Sequence, residues 1–195
     1  MNKVLIATTN PGKIAEIREV MADIPVLWMS LTDVGLADVD VEETEDTFAG
    51  NALLKARAYS KASGLAALAD DSGISVDALD GAPGVYSARY GPNAEARNTK
   101  LLKVLDGIPH VQRTARFISV VALVTPASIT LTAEGTIEGH IATEARGTNG
   151  FGYDPVFLLD DGRTMAELVS AEKNTISHRG RALAKVHPIM HCMFE

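Results

Sequence analysis

The sequence predicts an α/β domain built on a mixed β-sheet, and three features carry that expectation. Short apolar runs suited to buried strands, Val4 to Ala7 and Leu65 to Ala69, alternate with segments whose apolar residues recur at helical spacing. Two longer β-type stretches follow, Arg116 to Thr125 and Ile129 to Glu138, separated only by Pro126-Ala127-Ser128, which points to an antiparallel pair. The chain has 195 residues, with no repeat, low-complexity tract or long linker, so one domain is expected.

The elements are expected in the following order. After the Val4–Ala7 strand, Asn10 suits a helix N-cap and Pro11 the first helical position. Ile14, Ile17, Met21 and Ile24 then form an inward stripe, widened by Val20. Val26 to Met29 reads as a second strand, and Asp38 to Asp46 as an acidic segment. A helix is expected over Phe48 to Ser63, with Leu53, Ala56 and Tyr59 inward. The Leu65–Ala69 strand is expected to end at Asp70-Asp71-Ser72-Gly73. Gly81-Ala82-Pro83-Gly84 reads as a turn, Ala94 to Leu105 as a helix, and Gly147 to Pro155 as a glycine-punctuated loop. Thr164 with Glu167 reads as a capping box for a further helix. The last helix is expected to start near Ser177 and run through Leu183 to Val186, with Pro188 ending or kinking it.

Bulk properties narrow the function classes. Apolar residues make up 46% and charged residues 22%, ordinary globular usage. A net charge of −7 argues against wrapping nucleic acid, which needs a basic surface, but leaves room for a nucleotide held with a divalent cation. One cysteine, Cys192, allows no intrachain disulfide, and no apolar run is long enough for a secretory h-region or a membrane span. A cytoplasmic protein is the expectation.

Four clusters carry candidate chemistry, and each also has a plain structural reading. Thr8-Thr9-Asn10-Pro11-Gly12-Lys13 joins a strand to a helix N-terminus, where free N–H groups, the helix dipole and the Lys13 charge suit phosphate; it also reads as a capped helix with a surface lysine. Glu42, Glu43, Asp70 and Asp71 are carboxylates of the kind Mg²⁺ takes, able to orient or deprotonate a water; they also read as a solvated acidic loop and a turn. In Gly150-Phe151-Gly152-Tyr153-Asp154-Pro155, two glycines flank a ring that could stack on a base; the same residues read as a glycine turn. Lys173, His178 and Arg179 offer donors to phosphate or a purine oxygen; they also read as a charged helix start. His187 and His191 are discounted as a metal pair because Pro188 lies between them, and His110 and His140 show no partner.

Taken in order along the chain, these segments resemble the inosine triphosphate pyrophosphatase family, the Ham1 and RdgB dITP/XTP pyrophosphatases. The matching residues are Thr8 to Lys13, Glu42-Glu43-Thr44, Thr47-Phe48, Asn51-Ala52, Lys55-Ala56, Ala69 to Gly73, Gly81 to Gly84, Tyr86 to Tyr90, Gly150 to Pro155, Glu172-Lys173 and Ser177 to Gly180. The resemblance implies an elongated, two-lobed α/β domain over residues 1–195, with a long twisted mixed sheet and a central cleft, usually as a homodimer. It implies Mg²⁺-dependent hydrolysis of ITP, dITP and XTP to the monophosphate and pyrophosphate. By position, Thr8, Thr9, Asn10, Pro11, Gly12 and Lys13 would hold the triphosphate, supported by Ser72 and Lys55. Asp71, Glu43 and Glu42 would hold the metal, with Asp71 as general base. Phe151, Gly152, Tyr153 and Asp154 would hold the base, and Lys173, His178 and Arg179 would complete the pocket. Donors such as Arg179 suit a 6-oxo group, whereas an adenine 6-amino group would meet them donor to donor.

Two departures stand out. Gly50 occupies a position where the family commonly has glutamate, and the tail from His187 to Glu195 replaces what is usually a continued last helix. A nucleotide sensor without turnover and a phosphatase of another class remain the alternatives at this point. The first predicts binding without turnover; the second predicts release of inorganic phosphate.

Overall fold

A computed structural model describes residues 2–195. The strands are β1 (Asn2–Ile6), β2 (Val26–Met29), β3 (Ala66–Val76), β4 (Thr114–Val124), β5 (Thr130–Ile141) and β6 (Phe157–Leu158). The helices are α1 (Pro11–Val20), α2 (Phe48–Ser63), α3 (Ala94–Val104), α4 (Ser170–Ile176) and α5 (His178–Phe194). The strands form one sheet in the order β2-β1-β3-β4-β5-β6. β1 pairs in parallel with β2 and with β3, and β6 pairs antiparallel to β5. β4 and β5 adjoin through the short link 125–129, far too short for a parallel crossover, so they run antiparallel. The mixed sheet is therefore as the sequence predicts.

The chain divides into two compact units. The first comprises the chain to Asp71, Ser119–Gly135 and Arg179–Glu195. Its sheet is covered on both faces, and the period-2 alternation of the strands sorts their side chains between two cores. Val4, Ile6, Ala66, Leu68, Val121 and Leu123 meet Ile17 of α1 and Leu183, Val186 and Met190 of α5. Leu5, Ala67, Ala69, Val120 and Ala122 meet Ala52, Ala56 and Tyr59 of α2. Burial on both faces is why these strands read as continuous apolar runs. The second unit comprises Ser72–Ile118 and Thr136–His178. Its core gathers Ile74, Leu101, Leu105, Phe117, Ile141, Tyr153, Phe157 and Met165.

Local signals set several boundaries where expected. Asn10 caps α1, its Oδ1 accepting from the Gly12 and Lys13 amides at 2.9 and 3.2 Å. Thr47 caps α2, and Gly64 closes it in the left-handed region at φ 69°, a conformation glycine adopts without steric cost.

Four expectations are corrected. β3 does not end at Asp70 but continues through Gly73 to Val76. Asp-Asp-Ser-Gly reads as a turn locally, yet ion pairs described below satisfy both aspartates within the strand. α5 does not end at Pro188 but runs through it to Phe194, so the helix continues where the sequence suggested a departure. Proline leaves the Ala184 carbonyl without its helical donor, but Ala184 and Pro188 are both exposed, so water can serve it, while buried Val186 and Met190 hold both turns to the core. The Thr164–Glu167 box caps only a three-residue 3₁₀ turn, Met165–Glu167. His110 and His140 are not isolated: their rings stack at 4.7 Å.

Candidate active site

Asp70 and Asp71 are neighbours in β3, so their side chains leave opposite faces of the sheet. That single fact builds two separate charged clusters in the first unit. Asp70 shares the face of Ala66 and Leu68, toward α1 and α5. Its Oδ2 lies 2.5 Å from Lys13 Nζ, and its Oδ1 accepts from Ser119 Oγ at 2.5 Å and from Arg179 Nε at 3.2 Å. Arg179, 1% exposed, also binds Glu16. Two carboxylates thus face two cations in a balanced, buried network. Burial opposes ionisation of Asp70, but Arg179 and Lys13 outweigh it and hold the carboxyl well below the usual range. For Lys13 burial prevails over Asp70 and pushes the ammonium pKa down.

Asp71 shares the face of Ala67 and Ala69, toward α2. Lys55 of α2 places its Nζ 2.7 Å from Asp71 Oδ1, 2.6 Å from Glu43 Oε1 and 3.0 Å from the Asp70 carbonyl oxygen. One ammonium therefore holds two carboxylates, leaving a local charge of −1. Burial of Lys55 is outweighed by Asp71 and Glu43, which raise its pKa. Burial pushes the Asp71 carboxyl up to about 6, against the opposing pull of Lys55. Asp71 Oδ2 is buried without a hydrogen-bond partner. A buried carboxylate oxygen without a partner costs free energy that an added cation or proton donor would recover.

These residues fit a hard divalent cation. Mg²⁺ takes one or two protein carboxylates and completes its shell with water and phosphate oxygens, so Glu43 and Asp71 suffice. Glu42 is exposed in the same segment. Among the described residues no group of three or more His, Cys, Asp or Glu side chains is arranged to hold a metal.

The loop Thr8–Lys13 differs from its expectation in one respect. The Gly12 and Lys13 amides are already bonded to the Asn10 side chain, the Asn10 amide to Thr8 Oγ1, and the Ile14 amide to the Asn10 carbonyl. The donors this loop can offer a phosphate are chiefly the threonine hydroxyls, the Asn10 carboxamide N–H groups and the Lys13 ammonium.

In the second unit, Asp154 organises the glycine loop. Its Oδ2 accepts from the Phe151 amide at 2.7 Å and from Lys173 Nζ at 2.5 Å. Lys173 Nζ also lies 4.7 Å from the centre of the Phe151 ring, a cation–π contact. Gly150 has φ +70°, and a Cβ there would strike the Asp154 carboxylate, so the turn requires glycine on both counts. Asn98 of α3 donates to the Gly152 carbonyl at 3.1 Å from the other side. The loop borders a cavity of about 470 Å³ lined by Asn98, Leu102, Thr148, Phe151 and Pro155 among others. Tyr153 is a core residue whose hydroxyl donates to the Ser87 carbonyl at 2.8 Å.

Lys173, His178 and Arg179, read together in the sequence, go to three environments. Lys173 meets Asp154, His178 stacks on Phe117 at 4.6 Å, and Arg179 joins Asp70 and Glu16. Ser72 is half-buried in β3. Glu16, Ser119 and Asn98 were not anticipated. Ser119 had a visible signal, as the one hydroxyl in the apolar run Phe117 to Val124; Glu16 had one too, as a carboxylate beside the apolar stripe of α1.

The model of the Ham1 family matches residues 4–189. A dITP/XTP pyrophosphatase of Bacillus licheniformis is 49% identical over 194 residues, covering 97% of this chain and 98% of its own. A dITP/XTP pyrophosphatase of Geobacter sulfurreducens is 50% identical over 189 residues, 94% of each chain. The solved structure of a HAM1 protein from Coxiella burnetii matches with a TM-score of 0.87 and 41% identity, covering 97% of this chain and 98% of that one. A nucleoside-triphosphatase, dITP/XTP pyrophosphatase, from Mycobacterium abscessus matches with a TM-score of 0.75 and 47% identity, covering 95% of this chain and 99% of that one.

Proposed function

The chain belongs to the Ham1 family, and on that premise we propose that it hydrolyses the non-canonical purine nucleoside triphosphates ITP, dITP and XTP to the monophosphate and pyrophosphate, clearing them from the nucleotide pool. The observation that carries this reading is the Lys55 clamp on Glu43 and Asp71, with Asp71 Oδ2 buried and without a hydrogen-bond partner.

Release of pyrophosphate requires a water to attack the α-phosphorus and the α–β anhydride bond to break, with the pyrophosphate oxygen taking the electron pair. Asp71 takes the water's proton on Oδ2, while Lys55 fixes its other oxygen. Glu43 and Asp71 would hold Mg²⁺, with Glu42 adding charge nearby, and the ion would supply neutralisation of the phosphate oxygens. In the first unit Thr8 to Lys13 and Lys55 hold the phosphates, with Ser72 beside Asp71 in the chain. Lys13 is kept in place by Asp70, and Asp70 by Arg179.

In the second unit Phe151 stacks on the base, and Gly152, Tyr153 and Asp154 shape the loop that presents it. Lys173 and His178 supply donors toward the base. Arg179 belongs to the first unit, where it holds Asp70 and Glu16. A site that presents donors rejects adenine because its 6-amino group leaves them unpaired. We take the two compact units as the two lobes of a single domain. We further assign the protein to the cytoplasm as a homodimer, in line with the family resemblance; no described helix is long and apolar enough to cross a membrane.

The test follows the products from ITP in ¹⁸O-water, with Mg²⁺ and with chelator. The reading expects pyrophosphate, ¹⁸O in the monophosphate, and no reaction with chelator. Inorganic phosphate as the first product would instead indicate a phosphatase of another class, and nucleotide binding without any product a sensor.

A further inference from the structure

Glu43 lies in the long segment 30–47 between β2 and α2, which contains no strand or α-helix. Its carboxylate nevertheless stands 2.6 Å from Lys55, so something must fix that backbone. Asn51, in the first turn of α2 and 1% exposed, does part of it. Its Oδ1 accepts from the Glu45 amide at 3.0 Å, and its Nδ2 donates to the Glu45 carbonyl at 3.1 Å. One side chain thus takes both main-chain polar groups of Glu45, as a neighbouring strand would. Gly50 leaves the room for that approach. A Cβ built at Gly50 would lie 2.7 Å from Glu45 Cβ and 2.9 Å from Glu45 Cγ, closer than real Cβ atoms come. Glu45 Cβ is fixed to the main chain and cannot swing aside, so a side chain at position 50 must move the segment. Thr47 closes the arrangement, its Oγ1 accepting from the Gly50 amide at 3.1 Å.

We propose that Asn51 and Gly50 are positioning residues for the cation site: they hold the Glu45 backbone against α2 and so set the Glu43 carboxylate beside Asp71. The proposal rests on the reading that Glu43 and Asp71 hold the divalent cation. Both polar ends of the Asn51 side chain are taken by the Glu45 backbone and Gly50 has no side chain, so both act through that backbone. A buried asparagine with a merely structural role would affect stability alone, whereas a positioning role affects metal affinity in protein that remains folded.

The experiment measures Mn²⁺ binding without nucleotide, by titration calorimetry and by the paramagnetic resonance signal of free Mn²⁺. It compares the wild type with Asn51→Ala, Gly50→Ala, the double variant and Glu43→Gln, with melting temperatures alongside. Each single variant is expected to bind Mn²⁺ about 10-fold to 100-fold more weakly, the range for groups that orient a metal ligand. The double variant is expected to be little weaker than the poorer single, because both displace the same backbone. Gly50→Ala adds one methyl group to a partly buried position and keeps the test valid if Asn51→Ala fails to fold. Wild-type Mn²⁺ affinity in folded Gly50→Ala and Asn51→Ala protein would overturn the positioning role while leaving the cation reading intact. A wild-type protein that binds no Mn²⁺ up to millimolar concentration, with Glu43→Gln no different, would overturn the cation reading and this inference with it.

Discussion

Asp71 is the residue on which the proposed chemistry turns, and its two oxygens have different duties. Oδ1 is held at 2.7 Å by Lys55, and Oδ2 is buried without a partner. Asp71→Asn keeps the shape and the acceptor toward Lys55 but cannot take a proton. Loss of a positioned general base costs about 10²-fold to 10⁴-fold in kcat, so that range is expected in single-turnover rates, with nucleotide affinity by calorimetry largely retained. Undiminished turnover would remove Asp71 from the base role. Proton linkage gives a second expectation. Burial raises this carboxyl to about 6, and the cation competes with that proton. Mn²⁺ affinity should therefore fall about tenfold per pH unit below about 6 and level off above it. A flat profile from pH 5 to 7 would show that Asp71 does not ligate the cation. The glycine beside Asn51 belongs to the same scale. Its lack of a side chain reads in sequence as a missing acidic group, but in space it is what lets Glu45 approach α2.

At the scale of elements, α5 shows how far tertiary packing overrides a local stop signal. Pro188 costs about 3 kcal/mol relative to alanine inside a helix, yet α5 continues to Phe194 because Val186 and Met190 are fully buried on either side of it. Pro188→Ala should restore the bond to the Ala184 carbonyl and raise the thermal midpoint by several degrees, measured by circular dichroism. A lowered midpoint would mean that the surrounding packing depends on the proline ring. The same competition explains which elements the sequence revealed. α2 was legible to the residue because Thr47 caps it and Gly64 ends it, both local signals. β3 was misread because Asp70 to Gly73 has turn composition. What keeps it a strand is Lys13 and Arg179 on one face and Lys55 on the other, all distant in sequence. The Asn10 cap was read correctly, but the amides it consumes were counted as phosphate donors, since the same geometry serves either use.

For the whole molecule, the two aspartates pull stability in opposite directions with pH. Asp70 ionises well below its ordinary 3.8, so its contribution is present above that value and lost as pH falls through its folded-state pKa. Asp71 ionises above its ordinary 3.8, so its contribution is present below that value and lost as pH rises through about 6. Thermal midpoints should thus hold or rise slightly on acidification from pH 7 to 5, then drop steeply below about pH 4, where Asp70 takes up a proton in the unfolded chain but not in the folded one. A steady decline from pH 7 downward would contradict this balance. The sequence motifs also reported the whole-chain function more fully than the geometry of each cluster. Thr8 to Lys13, Asp70 to Gly73 and Gly150 to Pro155 identify the family in sequence order, but not that adjacent aspartates serve opposite faces. The most direct test of the central claim is kcat/KM for ITP, XTP and dITP beside ATP and GTP, measured as pyrophosphate release in Mg²⁺. The account predicts at least about 10²-fold preference for the first three over ATP, whose 6-amino group leaves buried donors unpaired. Equal rates for ATP, or no pyrophosphate from any of the five, would contradict it.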